Sequence, residues 1–514
     1  MKSSSTIRSG ALAAFVVMAM VVAACSSDSS DDVAGSDSTT SVTASDTTNT
    51  PPTTVADSTA APDTTTTAPA VEGPDDTAGV TVDVVGPGDG DFSNRALQDL
   101  GAAGYTEREY FISGTARSYV GEDLGPDGMW AVEPDGEAEY TTRIIVRQPA
   151  AAEDFSGVVM VEWLNVSAGA DGDPDWGYLH VELLREGHAY VGVSAQSTGV
   201  DTLIDREDGR YAELVHPGDE FSYDMFTQAA MVARGAGTAE VWDGIEPAQV
   251  IAAGESQSAF RMTTYANAVQ PRIPGVFDGL FIHSRGANPA PLGSDGSMMA
   301  DAGGATIRTD LAVPVFTFQT ETDVSPRLAS AAARQPDTDR LRLWEVPGTA
   351  HADAYLLERV YGLTPESDFG SLLNCDAPVN AGPHFEVISA AFHHLVAWVE
   401  DGTLPPEAPL IDTTDDDPAE VVRDADGIGT GGIRTPAVDV PVAVLSGEGQ
   451  TGGGFCGLFG TTFPFDQAEL VDRYGTPDDY VAAVTESAAA AAASGYLLET
   501  EVASIIETAE TVEF

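Results

Sequence analysis

Short apolar runs alternate with longer amphipathic segments from about residue 79 onward. The runs of four to eight residues, rich in Val, Ile, Leu and aromatic residues, predict buried strands, whereas the longer segments with helical spacing predict helices. The strands are predicted at 80–85, 109–120, 141–147, 158–164, 189–195, 250–253, 279–283, 313–320 and 341–346. The helices are predicted at 177–186, 224–241, 259–269 and 385–399.

This alternation predicts an α/β fold with a mainly parallel sheet that is covered by helices on both faces. No internal repeat and no second apolar core with its own linker is visible, so residues 79–514 are predicted to form one domain. Its last part, 403–514, is a Pro/Gly-rich region followed by two helical segments at 477–494 and 497–508. We expect this helical C-terminal extension to pack on the core or to shape a cleft.

The run 250–253 leads into Gly254-Glu-Ser-Gln-Ser258, and a helix is predicted directly afterwards. A strand, a sharp turn carrying a serine and a helix are the context of a nucleophile elbow. The strained turn requires small residues two positions before and after Ser256, which Gly254 and Ser258 provide, although glycine is usual at the second of these positions. An ordinary turn in which Ser256 only caps the helix is the alternative.

An elbow serine needs a base and an orienting acid, which follow it in the order acid, then histidine. Glu321 and Asp323 come just after the strand predicted at 313–320, and His351 comes just after the strand at 341–346. Because open parallel sheets place their functional groups outside the carboxyl ends of the strands, these side chains are expected to meet Ser256. Asp323 is preferred over Glu321 as the acid because it lies further into the loop.

The donors of an oxyanion hole are predicted from the same reasoning. One is the backbone N–H of Gln257, the residue after the nucleophile, and the other is expected in the loop after the strand at 158–164. That loop lacks the His-Gly-Gly signature of many lipases, and the amide of Asn165 or Val166 is the candidate.

Six further histidines are interpreted as structural. None of them is paired with another histidine or with cysteine at the spacing of metal ligands, so neither a metal ion nor an organic cofactor is expected. These residues are His180, His188, His216, His283, His393 and His394.

Three motifs resemble those of the α/β-hydrolase fold: Gly254–Ser258 after one buried strand, Gln319–Asp323 after the next buried strand but one, and Gly348–Asp353 after the last. More narrowly, the chain resembles a bacterial family called alpha/beta hydrolase domain proteins, over most of residues 79–514. The resemblance implies an eight-stranded sheet and a catalytic triad of Ser256, Asp323 or Glu321, and His351. It implies no particular substrate, because the fold supports many hydrolytic activities.

The N-terminus has the pattern of an export signal. Lys2 and Arg8 precede an apolar stretch, and Val22-Ala-Ala-Cys25 is similar to the cleavage site of bacterial lipoproteins. This predicts a signal peptide at 1–24, lipid on Cys25 and attachment to the outer face of the cell membrane. A plain secretory signal is the alternative. Residues 25–78 are rich in Ser, Thr, Asp and Pro and predict a disordered tether.

The formal net charge is −58, from 81 acidic and 23 basic residues. Nucleic-acid binding through phosphate contacts is therefore excluded, since it needs basic patches. Attachment to an anionic membrane surface would have to rest on the lipid.

Three cysteines fit an exported protein. With Cys25 taken by lipid, Cys375 and Cys456 remain, and a disulfide between them is expected in an oxidising compartment. Two free thiols are the alternative.

These features together predict an extracytoplasmic serine hydrolase that acts on a small-molecule ester through an acyl-enzyme on Ser256. A peptidase or amidase with the same triad is one alternative. A binding lipoprotein on an inactive hydrolase scaffold is the other.

Overall fold

The computed structural model describes residues 81–84, 92–121, 124–206, 209–235, 239–242, 244–293, 299–300, 302–363 and 373–514. The predicted signal peptide, the tether and Cys25 lie outside the described residues.

A nine-stranded sheet lies at the centre of the described residues, with the strand order β1-β2-β3-β5-β4-β6-β7-β8-β9. The strands β5, β4, β6, β7, β8 and β9 are parallel to one another. The strands β1, β2 and β3 each pair antiparallel with the next strand in the order. The predicted eight-stranded, mainly parallel sheet is confirmed, and the short β1 adds a ninth strand at the edge. The strands are Thr81–Val84 (β1), Tyr105–Gly121 (β2), Val132–Pro149 (β3), Val158–Trp163 (β4), Ala189–Val193 (β5), Gln249–Glu255 (β6), Gly279–His283 (β7), Val315–Thr320 (β8) and Leu341–Val346 (β9).

Helices follow most of the parallel strands. The described helices are Pro174–Glu186 (α1), Ser197–Ile204 (α2), Ser222–Ala233 (α3), Ala239–Trp242 (α4), Gln257–Thr264 (α5), Glu321–Val324 (α6), Ala354–Tyr361 (α7), His384–Asp401 (α8), Pro436–Asp439 (α9), Gln467–Tyr474 (α10), Pro477–Ala493 (α11) and Glu499–Ala509 (α12). In the part of the chain that the structure describes, no helix is both long enough and apolar enough to cross a membrane.

One predicted helix was wrong in extent. The periodic segment 224–241 is not continuous, because α3 ends at Ala233 and a separate turn of helix, α4, follows later. Gly235 has a φ of 84°, a left-handed conformation that ends a helix and that glycine adopts without a steric penalty.

Two apolar cores lie on opposite faces of the sheet, because successive side chains of a strand point to opposite sides. In β6, Val250 and Ala252 pack with α3 and α5, whereas Ile251 and Ala253 pack with α1 and α8. Burial on both faces explains why the parallel strands read as continuous apolar runs in the sequence.

The C-terminal extension packs on the second core. Tyr496, which follows α11, lies 5.3 Å from the ring of Trp344 in β9, and Leu497 is buried in the same cluster. The extension also contains a small two-stranded sheet that the sequence did not predict, formed by Ala443–Ser446 (β10) and Thr461–Pro464 (β11).

Cys375 and Cys456 form a disulfide, with their Cα atoms 5.4 Å apart. This pairing agrees with the expectation from the cysteine content.

Candidate active site

Ser256 occupies a single-residue turn between β6, which ends at Glu255, and α5, which begins at Gln257. Its backbone has φ 59° and ψ −121°, a strained conformation for a residue with a side chain. Space around the turn is limited, since a Cβ added to Gly254 would lie 2.8 Å from the Cγ of Met262. Ser258, where the usual motif has glycine, fits in a fully buried position. This is the geometry of a nucleophile elbow.

A chain of hydrogen bonds connects Ser256, His351 and Asp323. The Ser256 Oγ lies 2.7 Å from the His351 Nε2, and the His351 Nδ1 lies 2.6 Å from the Asp323 Oδ1. A carboxylate accepts, so the Nδ1 carries the proton and the Nε2 is free to accept from the serine hydroxyl. The structure therefore brings together three of the predicted residues from the ends of three different strands.

Asp323 is held by the local sequence. Thr320 caps α6, its N–H donates to the Asp323 Oδ2 at 2.7 Å, and the Asp323 N–H donates back to the Thr320 Oγ1 at 3.4 Å. This reciprocal arrangement is a capping box, in which the acid three residues after the cap completes the pair. One carboxylate oxygen is thereby fixed, which leaves the other directed at His351.

Glu321, the other candidate acid, makes different contacts. Its Oε1 accepts from the Arg423 Nη2 at 2.7 Å, from the Ser446 Oγ at 3.0 Å and from the Gly447 N–H at 2.9 Å. Its Oε2 accepts from the Gly348 N–H at 2.7 Å. Glu321 thus ties the C-terminal extension to the loop that carries the histidine, and it is Asp323 that contacts the imidazole.

Glu255 is a site residue that the sequence analysis missed. Its Oε1 lies 3.4 Å from the His351 Nε2, and the Asn165 Nδ2 donates to its backbone carbonyl at 3.1 Å. Burial raises the pKa of the Glu255 carboxyl well above its usual range, and three nearby carboxylates raise it further. They belong to Asp175, Asp323 and Glu162. The signal available was its position beside the serine in the elbow motif.

The predicted oxyanion donors differ in their availability. The Asn165 amide is already engaged, because its N–H donates to the Gly172 carbonyl at 2.9 Å in a short β-bridge. Among the described residues, no acceptor is paired with the N–H of Val166 or with that of Gln257 in the first turn of α5. These two amides remain the candidates.

A second chain of buried polar groups supports the histidine loop. The His283 Nδ1 lies 2.8 Å from the Asp175 Oδ1, and its Nε2 lies 2.8 Å from the His384 Nε2. The His384 Nδ1 donates to the carbonyl of Ala350, the residue before His351, at 3.2 Å. Burial and the neighbouring His283 lower the pKa of His384 well below its usual value. This pair of histidines, 101 residues apart, was missed because spacing along the chain does not reveal it.

One group of potential metal ligands lies together in the described part of the chain. The ligand atoms of Glu182, Glu186 and His393 are within 4.8 Å of one another. The Glu182 carboxylate already accepts from Arg185 and from the His393 Nδ1, at 2.9 Å in the latter case. The Glu182 carboxylate therefore has hydrogen-bond partners from the protein itself.

Comparisons with known proteins agree with this architecture. Residues 65–507 match the family model described as alpha/beta hydrolase domain. No curated protein sequence gives a significant match.

Three of the similar solved structures are compared by sequence identity, coverage and TM-score. The first, XC6422 from Xanthomonas campestris, is described as an a/b serine hydrolase without a lid; it is 14% identical, with 46% of this chain and 86% of that chain covered and a TM-score of 0.28. The esterase Est22 is 17% identical, and the match covers 48% of this chain and 73% of that chain with a TM-score of 0.28. A glucuronoyl esterase from Solibacter usitatus is 11% identical, and the match covers 52% of this chain and 80% of that chain with a TM-score of 0.25.

The family model spans most of the sequence, and the mainly parallel sheet and the serine turn agree with the fold that the motifs imply. The chain belongs to the alpha/beta hydrolase domain family.

Proposed function

We propose that this protein is a serine hydrolase of carboxylic esters, with Ser256 as nucleophile, His351 as general base and Asp323 as the orienting acid. The observation that carries the proposal is the continuous chain of hydrogen bonds from the Ser256 Oγ through His351 to Asp323, with distances of 2.7 and 2.6 Å. The strained backbone of Ser256 supports it, since such strain persists where the surrounding structure holds a residue for a function.

In this mechanism the Ser256 Oγ attacks the carbonyl carbon of the ester while the His351 Nε2 takes its proton. The negative oxygen of the tetrahedral intermediate accepts from the N–H groups of Gln257 and Val166, and the N-terminus of α5 favours the developing charge. When the carbon–oxygen bond to the alcohol breaks, the imidazolium returns the proton to the leaving oxygen. Water, deprotonated by His351, then attacks the acyl-enzyme and releases the acid.

Glu255 suits this mechanism as a neutral carboxylic acid. A carboxylate 3.4 Å from the His351 Nε2 would favour the imidazolium in the resting enzyme, and an imidazolium cannot accept the serine proton. Because its pKa is raised well above the usual range, the protonated form of Glu255 is favoured, and that form adds no negative charge beside the imidazole.

The first experiment is ester hydrolysis by variants on a panel of p-nitrophenyl esters. Ser256→Ala and His351→Ala should each lower kcat by at least about 10³-fold, because the three groups act as a unit. Ser258→Ala is the matched control: it removes a buried hydroxyl that has no hydrogen-bond partner among the described residues, two positions from the nucleophile. Retention of half the activity by either Ser256→Ala or His351→Ala would overturn the assignment.

Two further measurements separate the alternatives. A fluorophosphonate probe should label the wild-type protein at Ser256 and leave Ser256→Ala unlabelled, whereas an inactive binding scaffold would not react. Matched ester and anilide substrates with the same acyl group should give the higher kcat/KM for the ester. A higher value for the anilide would make the protein an amidase.

We also propose that the enzyme is exported and anchored by lipid on Cys25. Support comes from the sequence Val22-Ala-Ala-Cys25 after an apolar stretch. Mass spectrometry of the mature N-terminus should find a lipidated Cys25, and Cys25→Ala should release active enzyme into the medium. An unmodified N-terminus beyond Cys25 would make the protein secreted.

A further inference from the structure

Arg285 carries a positive charge in the interior without a carboxylate partner among the described residues. It lies just after β7 and is 3% exposed. Its guanidinium donates to backbone carbonyls, from Nε to Gly286 at 3.0 Å and from Nη2 to Ala287 at 3.2 Å and to Ala305. Burial lowers the pKa of Arg285 to about 10, which still leaves it charged at neutral pH. A buried charge of this kind normally has a counter-ion.

Arg285 lies on the wall of a cavity of about 20 Å³ whose other charged groups do not neutralise it. Arg334 is paired in a bidentate contact with Glu345, at 2.7 and 2.6 Å, and Arg342 is paired with Asp337 at 2.7 Å. Three guanidinium groups against two carboxylates leave one positive charge on this wall. One negative charge would therefore neutralise the cavity wall.

A further group on the same wall has no partner. The Ser330 Oγ is buried and makes no hydrogen bond to any described residue. The next carboxylate, that of Glu407, lies 4.0 Å from the Arg342 Nη1, but its side chain is 84% exposed and so is screened by water. Unpartnered buried donors are rare in folded proteins and indicate a bound water or ion.

We propose that this cavity is a binding site for a single small monovalent anion of the size of chloride. The small volume favours a small ligand: roughly 10–15 Å³ holds one water molecule, so about 20 Å³ suits one halide ion better than the larger sulfate or phosphate. Water alone would fill the space but would not neutralise Arg285. The exposed Pro336 also lies on the wall, which places the site close to the surface, where an ion can exchange.

The site is linked to the strand that carries the proposed catalytic acid. The Arg285 N–H donates to the Gln319 Oε1 at 2.9 Å, and the Gln319 Nε2 donates to the Arg285 carbonyl at 2.8 Å. Gln319 lies on the cavity wall, and its neighbour Thr320 holds Asp323. An anion bound here stabilises the carboxyl end of β8, so its effect is expected on stability and not on substrate binding.

Diffraction with bromide in place of chloride locates the ion directly. Crystals of the protein grown in sodium bromide should show an anomalous peak in the cavity, at hydrogen-bond distance from the Arg285 guanidinium. Density without an anomalous signal, at bromide concentrations that label other sites, would identify a water molecule and overturn the proposal.

Thermal unfolding tests the same site in solution. At equal ionic strength, which removes the general effect of salt on so acidic a chain, the Tm in chloride should exceed that in gluconate by about 2–4 °C. Arg285→Met should abolish this difference, whereas Arg340→Met, which removes an exposed arginine, should retain it. If Arg285→Met fails to fold, Ser330→Ala is measured instead. It should raise several-fold the chloride concentration at which half of the increase in Tm is reached. Equal Tm values of the wild-type protein in the two salts would overturn the proposal.

Discussion

Two acidic side chains separated by one residue serve different purposes at this site, and their surroundings account for the difference. The Asp323 carboxylate is fixed on one side by the capping box of α6 and contacts His351 on the other. The Glu321 carboxylate accepts hydrogen bonds from Arg423 and from backbone groups of two other segments. The first arrangement orients an imidazole, whereas the second holds loops together.

Asp323→Asn should therefore lower kcat by roughly 10³–10⁴-fold with little change in Tm, because the amide favours the wrong tautomer of His351. Glu321→Gln should have the opposite profile. We expect kcat close to that of the wild type and a loss of about 3 kcal/mol in the free energy of unfolding, because the partner Arg423 loses its buried carboxylate. Paired kinetic and denaturation measurements check both variants, and the reverse ranking of kcat would move the catalytic role to Glu321.

At the scale of elements, the parallel strands place the site. The serine, the acid and the histidine come from the ends of β6, β8 and β9, and the carboxyl ends of parallel strands meet at one edge of the sheet. The loop after β9 that carries His351 is supported from behind by the segment Cys456–Leu458, since the Ala352 N–H donates to the Leu458 carbonyl at 3.1 Å. The disulfide to Cys375 anchors this segment.

Replacement of both cysteines by serine should lower the free energy of unfolding by about 3–5 kcal/mol, because the bond closes a long loop, between residues 81 positions apart, and so restricts the unfolded chain. Activity at 25 °C should be retained, since neither sulfur contacts the triad. Urea denaturation of the double variant beside the oxidised wild type measures the effect. Identical midpoints and slopes for the two proteins would show that the bond does not contribute to stability.

At the scale of the whole molecule, buried carboxyl groups beneath the site make stability depend on pH. Asp353 is fully buried, and burial raises its pKa to about 7, although hydrogen bonds from the Leu356 N–H and the Tyr178 hydroxyl lower it. Between about pH 4 and pH 7 this group is ionised in the unfolded chain but protonated in the folded one. The folded state then binds more protons, so stability falls as the pH rises through this window.

The contribution of Asp353 to the Tm should accordingly decrease from pH 5 to pH 7, and Asp353→Asn should remove that contribution from the slope, since asparagine accepts the same hydrogen bonds without ionising. Asp415→Asn serves as the control. It removes the charge of an exposed acid and so changes the general repulsion within the acidic chain to the same extent. Scanning calorimetry at several pH values compares the three proteins. A slope for Asp353→Asn equal to that of the control would show that Asp353 ionises normally in the folded state.

The sequence by itself determined the features that depend on local patterns. Continuous apolar runs marked the strands because both faces of a parallel sheet are buried, and Gly254 and Ser258 marked the turn around Ser256 because little else fits there. The order of serine, acid and histidine after the ends of parallel strands followed from the topology of such sheets.

Only the tertiary structure decided the features that depend on contacts between distant segments. It assigned Asp323 to His351 and Glu321 to Arg423, and it paired His283 with His384. It also left Arg285, on the wall of a cavity, without a carboxylate partner among the described residues. Such contacts join side chains up to about a hundred positions apart, and the periodicity of a chain carries no record of which distant groups share a buried space.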